Sequence, residues 1–136
     1  MSWPLIFKIA NASVIPAWFL LLVFPNRSIT SRLVHSGAWS AALSILYTIL
    51  LLYSFGGDGG MDSLENLKIS FQRDEIMLLG WVHYLAFDLF IGAWISRDAN
   101  RIGLHHLLVV PVLILTLFAG PVGLLIYLAI KTIKRS

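Results

Sequence analysis

The run Ile76-Met77-Leu78-Leu79-Gly80-Trp81-Val82-His83-Tyr84-Leu85-Ala86-Phe87-Asp88-Leu89-Phe90-Ile91-Gly92-Ala93-Trp94-Ile95 contains His83 and Asp88 but no Lys, Arg or Glu. As an α-helix its twenty residues reach about 30 Å, the thickness of a bilayer's hydrocarbon core. Its apolar side chains are continuous rather than confined to one stripe, the pattern of a helix with lipid around it and not of one resting on a water-covered domain.

Working outward, three further segments have that length and character. One runs from Leu5 to Phe24, with Lys8 and Asn11 near its start and Pro16 inside it. A second runs from Leu33 to Phe55 and a fourth from Leu107 to Ile130, the latter holding Pro111 and Gly120-Pro121-Val122-Gly123. Together they predict an all-α integral membrane bundle of four transmembrane helices, a single domain over residues 1–136 whose first partner is the lipid bilayer. The first helix reads as a retained anchor, because no small-residue cleavage site follows its apolar run.

Composition agrees. Of 136 residues, 58% are hydrophobic and 12% charged, and mean hydropathy is +0.83. A soluble domain carries about a quarter charged residues, so this chain lacks the charge to cover itself in water. Its ten Lys and Arg are spread over helix ends, which speaks against nucleic-acid binding. The absence of cysteine rules out disulfides, thiolate metal sites and cysteine nucleophiles. No Walker loop, GxSxG, HExxH or dinucleotide fingerprint occurs, and no cofactor is firmly implied.

The links are unequal. Pro25-Asn26-Arg27-Ser28 reads as a turn, and Ser96 to Gly103 as a short polar link. Residues 56–60, Gly-Gly-Asp-Gly-Gly, open the longest link. They lead into residues 62–73, where Leu64, Leu67 and Phe71 recur at helical spacing. This predicts a short amphipathic helix at the membrane interface, serving as a connector or as a lid. With four spans, Arg27, Arg32, Arg97 and Arg101 share one face. Lys8, Lys68, Arg73, Lys131, Lys134 and Arg135 share the other, and four against six leaves the orientation open. Ser36, Ser40, Ser44 and Thr48 form a weakly polar seam suited to close helix packing.

Asp88 is the most informative residue. It lies near the midplane of its helix, where a carboxyl is costly and usually marks function, with a structural, hydrogen-bonded carboxyl as the alternative. Trp81 and Tyr84 share its face at seven and four residues' spacing, whereas His83 stands about 140° around the helix beside Phe87, Phe90 and Trp94. This broad aromatic surface suits a long apolar ligand, and suits ordinary packing equally. A single intramembrane acid makes a poor proton relay. His105 and His106 begin the fourth helix without metal-ligand spacing, so no metal site is expected. Pro16, Pro111 and Pro121 free the carbonyls of Ala12, Leu107 and Leu117, which need partners in lipid. Gly120-Pro121-Val122-Gly123 predicts a kink with close backbone approach.

Residues 81–89, with Trp94, Asp98, Pro121-Val122-Gly123 and Lys131, resemble the abscisic-acid-deficient-four-like membrane proteins, whose plant members are needed to form neoxanthin from violaxanthin. The motif content of the resemblance lies in the C-terminal half. It implies a role in carotenoid biosynthesis, with a carotenoid or other long isoprenoid as substrate or bound pigment. The implied reaction opens a cyclic epoxide to an allenic alcohol, an isomerisation that needs an acid and a base but no redox cofactor. Asp88 and His83 match the motif as catalytic candidates. Trp81, Tyr84, Phe87, Trp94 and Pro121 are candidates for contact with substrate or pigment. The alternative is a non-catalytic pigment-binding or assembly subunit joined to other membrane proteins. The expected location is a bacterial inner or photosynthetic membrane, or a plastid membrane.

Overall fold

The computed structural model describes residues 2–135, and among them every regular element is helical. Helix α1 spans Trp3–Val23. A short helix α2, Ser28–Thr30, leads into a π-helical turn over Ser31–His35, and α3 follows at Ala38–Ser54. Helix α4 is Leu64–Phe71 and α5 is Asp74–Arg101. The last two are α6, His106–Phe118, and α7, Gly120–Arg135.

Three of these stretches are long and apolar enough to cross a membrane: Trp3–Val23, Ser28–Ser54 taken through its interruption, and Asp74–Arg101. Helix α1 is started by the Ser2 hydroxyl, which accepts from the Leu5 amide, and by Pro4 in the first turn, where its missing N–H is harmless. The second span opens one turn earlier than Leu33 and is broken at Gly37, whose φ of +87° a residue with a Cβ resists. Thr30 and His35 hold this corner by donating to the Phe24 and Pro25 carbonyls at 2.6 and 2.8 Å.

Helix α5 is the central post. Val82, Leu89 and Ile95 on it are fully buried. Helix α1 runs beside it in the same direction: Phe7 meets Trp81 low on the pair, and Gly92 meets Trp18 and Leu21 high on it. Helix α3 runs the opposite way. Arg73, just before α5, donates to the Ser54 and Gly56 carbonyls at its far end, while Arg97 near the end of α5 donates to the His35 carbonyl. Large apolar side chains such as Ile15, Leu52, Leu107, Phe118 and Leu125 face outward, as a lipid-covered surface requires.

Two expectations change here. The polar link expected from Ser96 is helical as far as Arg101. Its polar side chains Ser96 and Asp98 are buried against neighbours rather than solvated, so nothing ends the helix there. The larger change concerns the segment expected as one span from Leu107 to Ile130. It is two helices of 13 and 16 residues that meet at Ala119, whose backbone is non-helical.

These two helices double back. In a continuous helix Gly123 and Thr116 would stand about 10 Å apart, yet a Cβ on Gly123 would strike the Thr116 backbone and hydroxyl. The tip of the turn lies beside the middle of α5, where Gly120 touches Asp88 and the Leu117 carbonyl meets Tyr84. Helix α6 reaches it from the end of α5, starting near the Leu22 carbonyl, to which the His106 ring donates at 2.7 Å. Helix α7 then returns the same way, with Tyr127 and Lys131 at Asp98. Three helices long and apolar enough to cross a membrane, and a hairpin of α6 and α7, therefore stand where four spans were expected.

The short helix expected over residues 62–73 is present at Leu64–Phe71. Ser63 caps it by accepting from the Asn66 amide, and the Phe71 ring lies against Gly80 on α5. The Asn66 amide group also donates to Asp62 at 2.8 Å and holds that exposed carboxyl below its ordinary range. Only Ser40 of the expected serine seam is buried. Ser44 and Thr48 are exposed and donate to carbonyls one turn back in their own helix.

Candidate functional site

Asp88 projects from the middle of α5 towards the hairpin tip. Gly120 is the reason it fits, because a Cβ there would run into the carboxyl group. One carboxyl oxygen, Oδ2, is buried without a hydrogen-bond partner. Tyr84, one turn earlier on the same face, neighbours the carboxyl and donates to the Leu117 carbonyl at 2.5 Å. That carbonyl lies in the last turn of α6, where the helix offers no amide partner, so the tyrosine meets a need that the helix end creates.

The Trp81 ring stacks on Tyr84, with centroids 5.0 Å apart, and its indole N–H donates to the Asn11 side chain at 3.0 Å. On its far side Trp81 walls an apolar groove of about 400 Å³ between α1 and α5, lined also by Trp3, Phe7, Met77 and Leu78. The groove, the two stacked rings and the carboxyl thus follow one another along α5. A second, larger apolar groove of about 590 Å³ lies between α1 and α3, lined by Ile6, Ile9, Leu46 and Tyr53 among others.

The other candidates are distributed differently. His83 packs its ring against Tyr47 of α3 and Phe87, with centroids at 5.8 and 4.8 Å. Its contacts are separate from those of Asp88, so the two do not form an assembled acid–base pair. Phe87 is 59% exposed. Trp94, expected beside His83, instead meets Tyr127 edge-on and lies under the Lys131 ammonium, 5.4 Å from the ring centroid. Pro121 is in the first turn of α7 at the tip. His105 accepts from the Leu107 amide, and with His106 on Leu22 both histidines serve helix ends.

A second polar centre lies at the end of α5. Asp98 is 7% exposed and accepts from Tyr127 at 2.6 Å, from Lys131 at 2.7 Å and from Arg101 at 2.7 Å. It ties the return arm of the hairpin to the central post. The residues expected to act did not include it, although Tyr127 and Lys131 stand one turn apart on one face, and Asp98 and Arg101 do likewise. What sequence could not supply is the folding-back that brings the two pairs together.

The ABA DEFICIENT 4-like family model matches residues 5–127 of this chain. The chain belongs to that family. The match takes in nearly all of α1, the whole of α3 and α5, the hairpin tip, Asp88, Asp98 and Tyr127. Among curated proteins, the chloroplastic Protein ABA DEFICIENT 4 of Arabidopsis thaliana is 26% identical over 139 residues, covering 94% of this chain and 61% of its own length. The chain therefore spans rather less than two thirds of that ABA DEFICIENT 4 relative. No solved structure matches.

Proposed function

We propose that this chain handles an epoxy-carotenoid or a related long isoprenoid within a membrane, with Asp88 at the reacting end. One observation carries the reading: a carboxyl on α5 with a buried, unpartnered oxygen stands against the hairpin tip, one turn from two stacked aromatic rings of which the outer walls an apolar groove. A group that is costly to keep in an apolar interior marks a site rather than a packing solution. Membership of the ABA DEFICIENT 4-like family supports the carotenoid link, and the relative's chloroplastic name supports a plastid membrane.

The chemistry suits such a site. Asp88 donates its proton to the epoxide oxygen, the carbon–oxygen bond to the neighbouring carbon breaks, and a hydroxyl and an allylic cation remain. Loss of a proton from the adjacent chain carbon completes the cumulated double bonds of the allene. The carboxylate just formed takes that proton, so nothing is oxidised or reduced and no cofactor is consumed. The two reacting positions are close enough for one carboxyl to serve both, which leaves His83 outside the proton transfers. Tyr84 orients Asp88, Trp81 lines the approach, and Pro121 and Gly120 shape the far wall. Helix α4, with Leu64 exposed at its start and Met61 exposed just before it, lies at the membrane interface as a cover over the start of α5.

A second reading, a non-catalytic pigment-binding subunit of a larger complex, draws on a different observation. His83, Phe87 and Phe90 form an exposed aromatic strip on the outer face, where a pigment or another membrane protein can lie. The two readings separate in one assay. Membranes containing the wild-type chain or Asp88→Asn are supplied with a cyclic epoxy-carotenoid and the products are resolved chromatographically. Allenic product from the wild type alone, at equal protein levels, supports the catalytic reading. Equal product from both sinks it.

A further inference from the structure

The hairpin changes the charge balance of the molecule. If the final apolar segment crossed, its basic tail would join Lys8, Lys68 and Arg73. Because α7 returns to the end of α5, Lys131, Lys134 and Arg135 instead join Arg27, Arg32, Arg97 and Arg101, giving seven of the ten Lys and Arg on one face. The single carboxylate of that face, Asp98, is occupied by Lys131 and Arg101. The opposite face holds three cations together with Asp58, Asp62, Glu65, Asp74 and Glu75, and one of its cations, Arg73, is paired with Glu75 at 3.0 Å.

We propose that the chain sits with its hairpin face, carrying Arg27, Arg97 and the basic end of α7, towards the compartment in which it is synthesised, and with the amino terminus and the 56–63 link on the far side. Short, Lys- and Arg-rich connections resist translocation, and those within a few turns of the helix ends govern orientation. All seven cations lie in such positions. The amino and carboxyl ends then face opposite compartments, and Asp88 is covered from the synthesis side by a hairpin that itself never crosses.

The absence of native cysteine makes a direct test available. Single-cysteine variants Asp58→Cys, Asn100→Cys and Lys134→Cys, all at exposed positions, are inserted as full chains into membranes and recovered as vesicles of known sidedness. They are treated with a membrane-impermeant maleimide. Asn100→Cys and Lys134→Cys are labelled from the synthesis side alone, and Asp58→Cys from the other side alone. The mirror pattern, or labelling of each site from both sides, overturns the orientation. Asn100→Cys and Lys134→Cys on opposite sides overturn the hairpin on which it rests. Ser28→Cys and Glu65→Cys provide the same readout should a first variant fail to insert. Removing Arg27, Arg32, Lys134 and Arg135 together as alanines equalises the faces at three each and is expected to give mixed orientation. A single unchanged orientation in that variant refutes charge as the cause.

Discussion

The Tyr84 hydroxyl donates to the carbonyl of Leu117, which the end of α6 leaves without an amide partner. Helices α5 and α6 are joined through a carbonyl that the end of α6 leaves over. Tyr84→Phe keeps the ring and its stacking on Trp81 and removes only the donor. The expected cost is about 1–2 kcal/mol, the range for one interhelical hydrogen bond in an apolar surround. It is read as a lower unfolding midpoint in mild detergent, with helix content unchanged. An unshifted midpoint would show that the Leu117 carbonyl finds another partner.

At Gly120 the backbone of the tip comes into contact with the Asp88 carboxyl. Gly120→Ala is therefore expected to push the tip off α5 or turn the carboxyl aside, at about 1–3 kcal/mol for overpacking. If Asp88 acts on substrate, product formation falls much further than stability does. Thermal unfolding and turnover measured on one preparation separate the two effects.

Asp98 is held by three donors, two of them on structure that Asp98 itself anchors. Removing one donor is expected to be milder than removing the acceptor. Tyr127→Phe costs about 1.5–3 kcal/mol, the range for a hydrogen bond to a charged group. Asp98→Asn leaves Lys131 without its counter-charge and frees α7, so its midpoint falls below that of Tyr127→Phe. Protease digestion from the tail side tests the same point, because a released α7 is cut earlier. The reverse order of the two variants would contradict this account of the hairpin's anchor.

His83 faces Tyr47 and Phe87. His83→Phe preserves those ring contacts and is expected to retain most product formation, in contrast to Asp88→Asn. Loss of activity in both, with the fold intact, would show that the histidine shares in the proton transfers.

Much of the architecture is legible in composition and periodicity, for a physical reason. A helix in lipid must satisfy its own backbone, so length and apolarity mark α1 and the start of α5 within about two residues. The hairpin is not legible that way, since hydropathy records how apolar Leu107 to Ile130 is and not where the chain goes. Gly120-Pro121-Val122-Gly123 does signal a break, and the carbonyl that needs a partner can be named in advance as that of Leu117. Reversal rather than a kink depends on two distant relationships, Gly123 lying on Thr116 and Asp98 receiving Tyr127 and Lys131. The same applies to the end of α5. Asp98 looks like part of a solvated link until Tyr127 and Lys131, about thirty residues away, bury it. At the site, the four-residue step from Tyr84 to Asp88 foretells their shared face, and the 140° offset of His83 foretells its separate surroundings.

The claim that a carotenoid is held beside Asp88 is tested most directly by the visible absorption spectrum of the protein purified in mild detergent, before and after titration with a cyclic epoxy-carotenoid. The expected result is a structured carotenoid band that shifts and saturates on binding to the wild type. In Trp81→Ala, which opens the wall between the groove and Tyr84, the band should be weakened. A protein that remains colourless, and leaves the spectrum of the added carotenoid unchanged at every concentration, would contradict it.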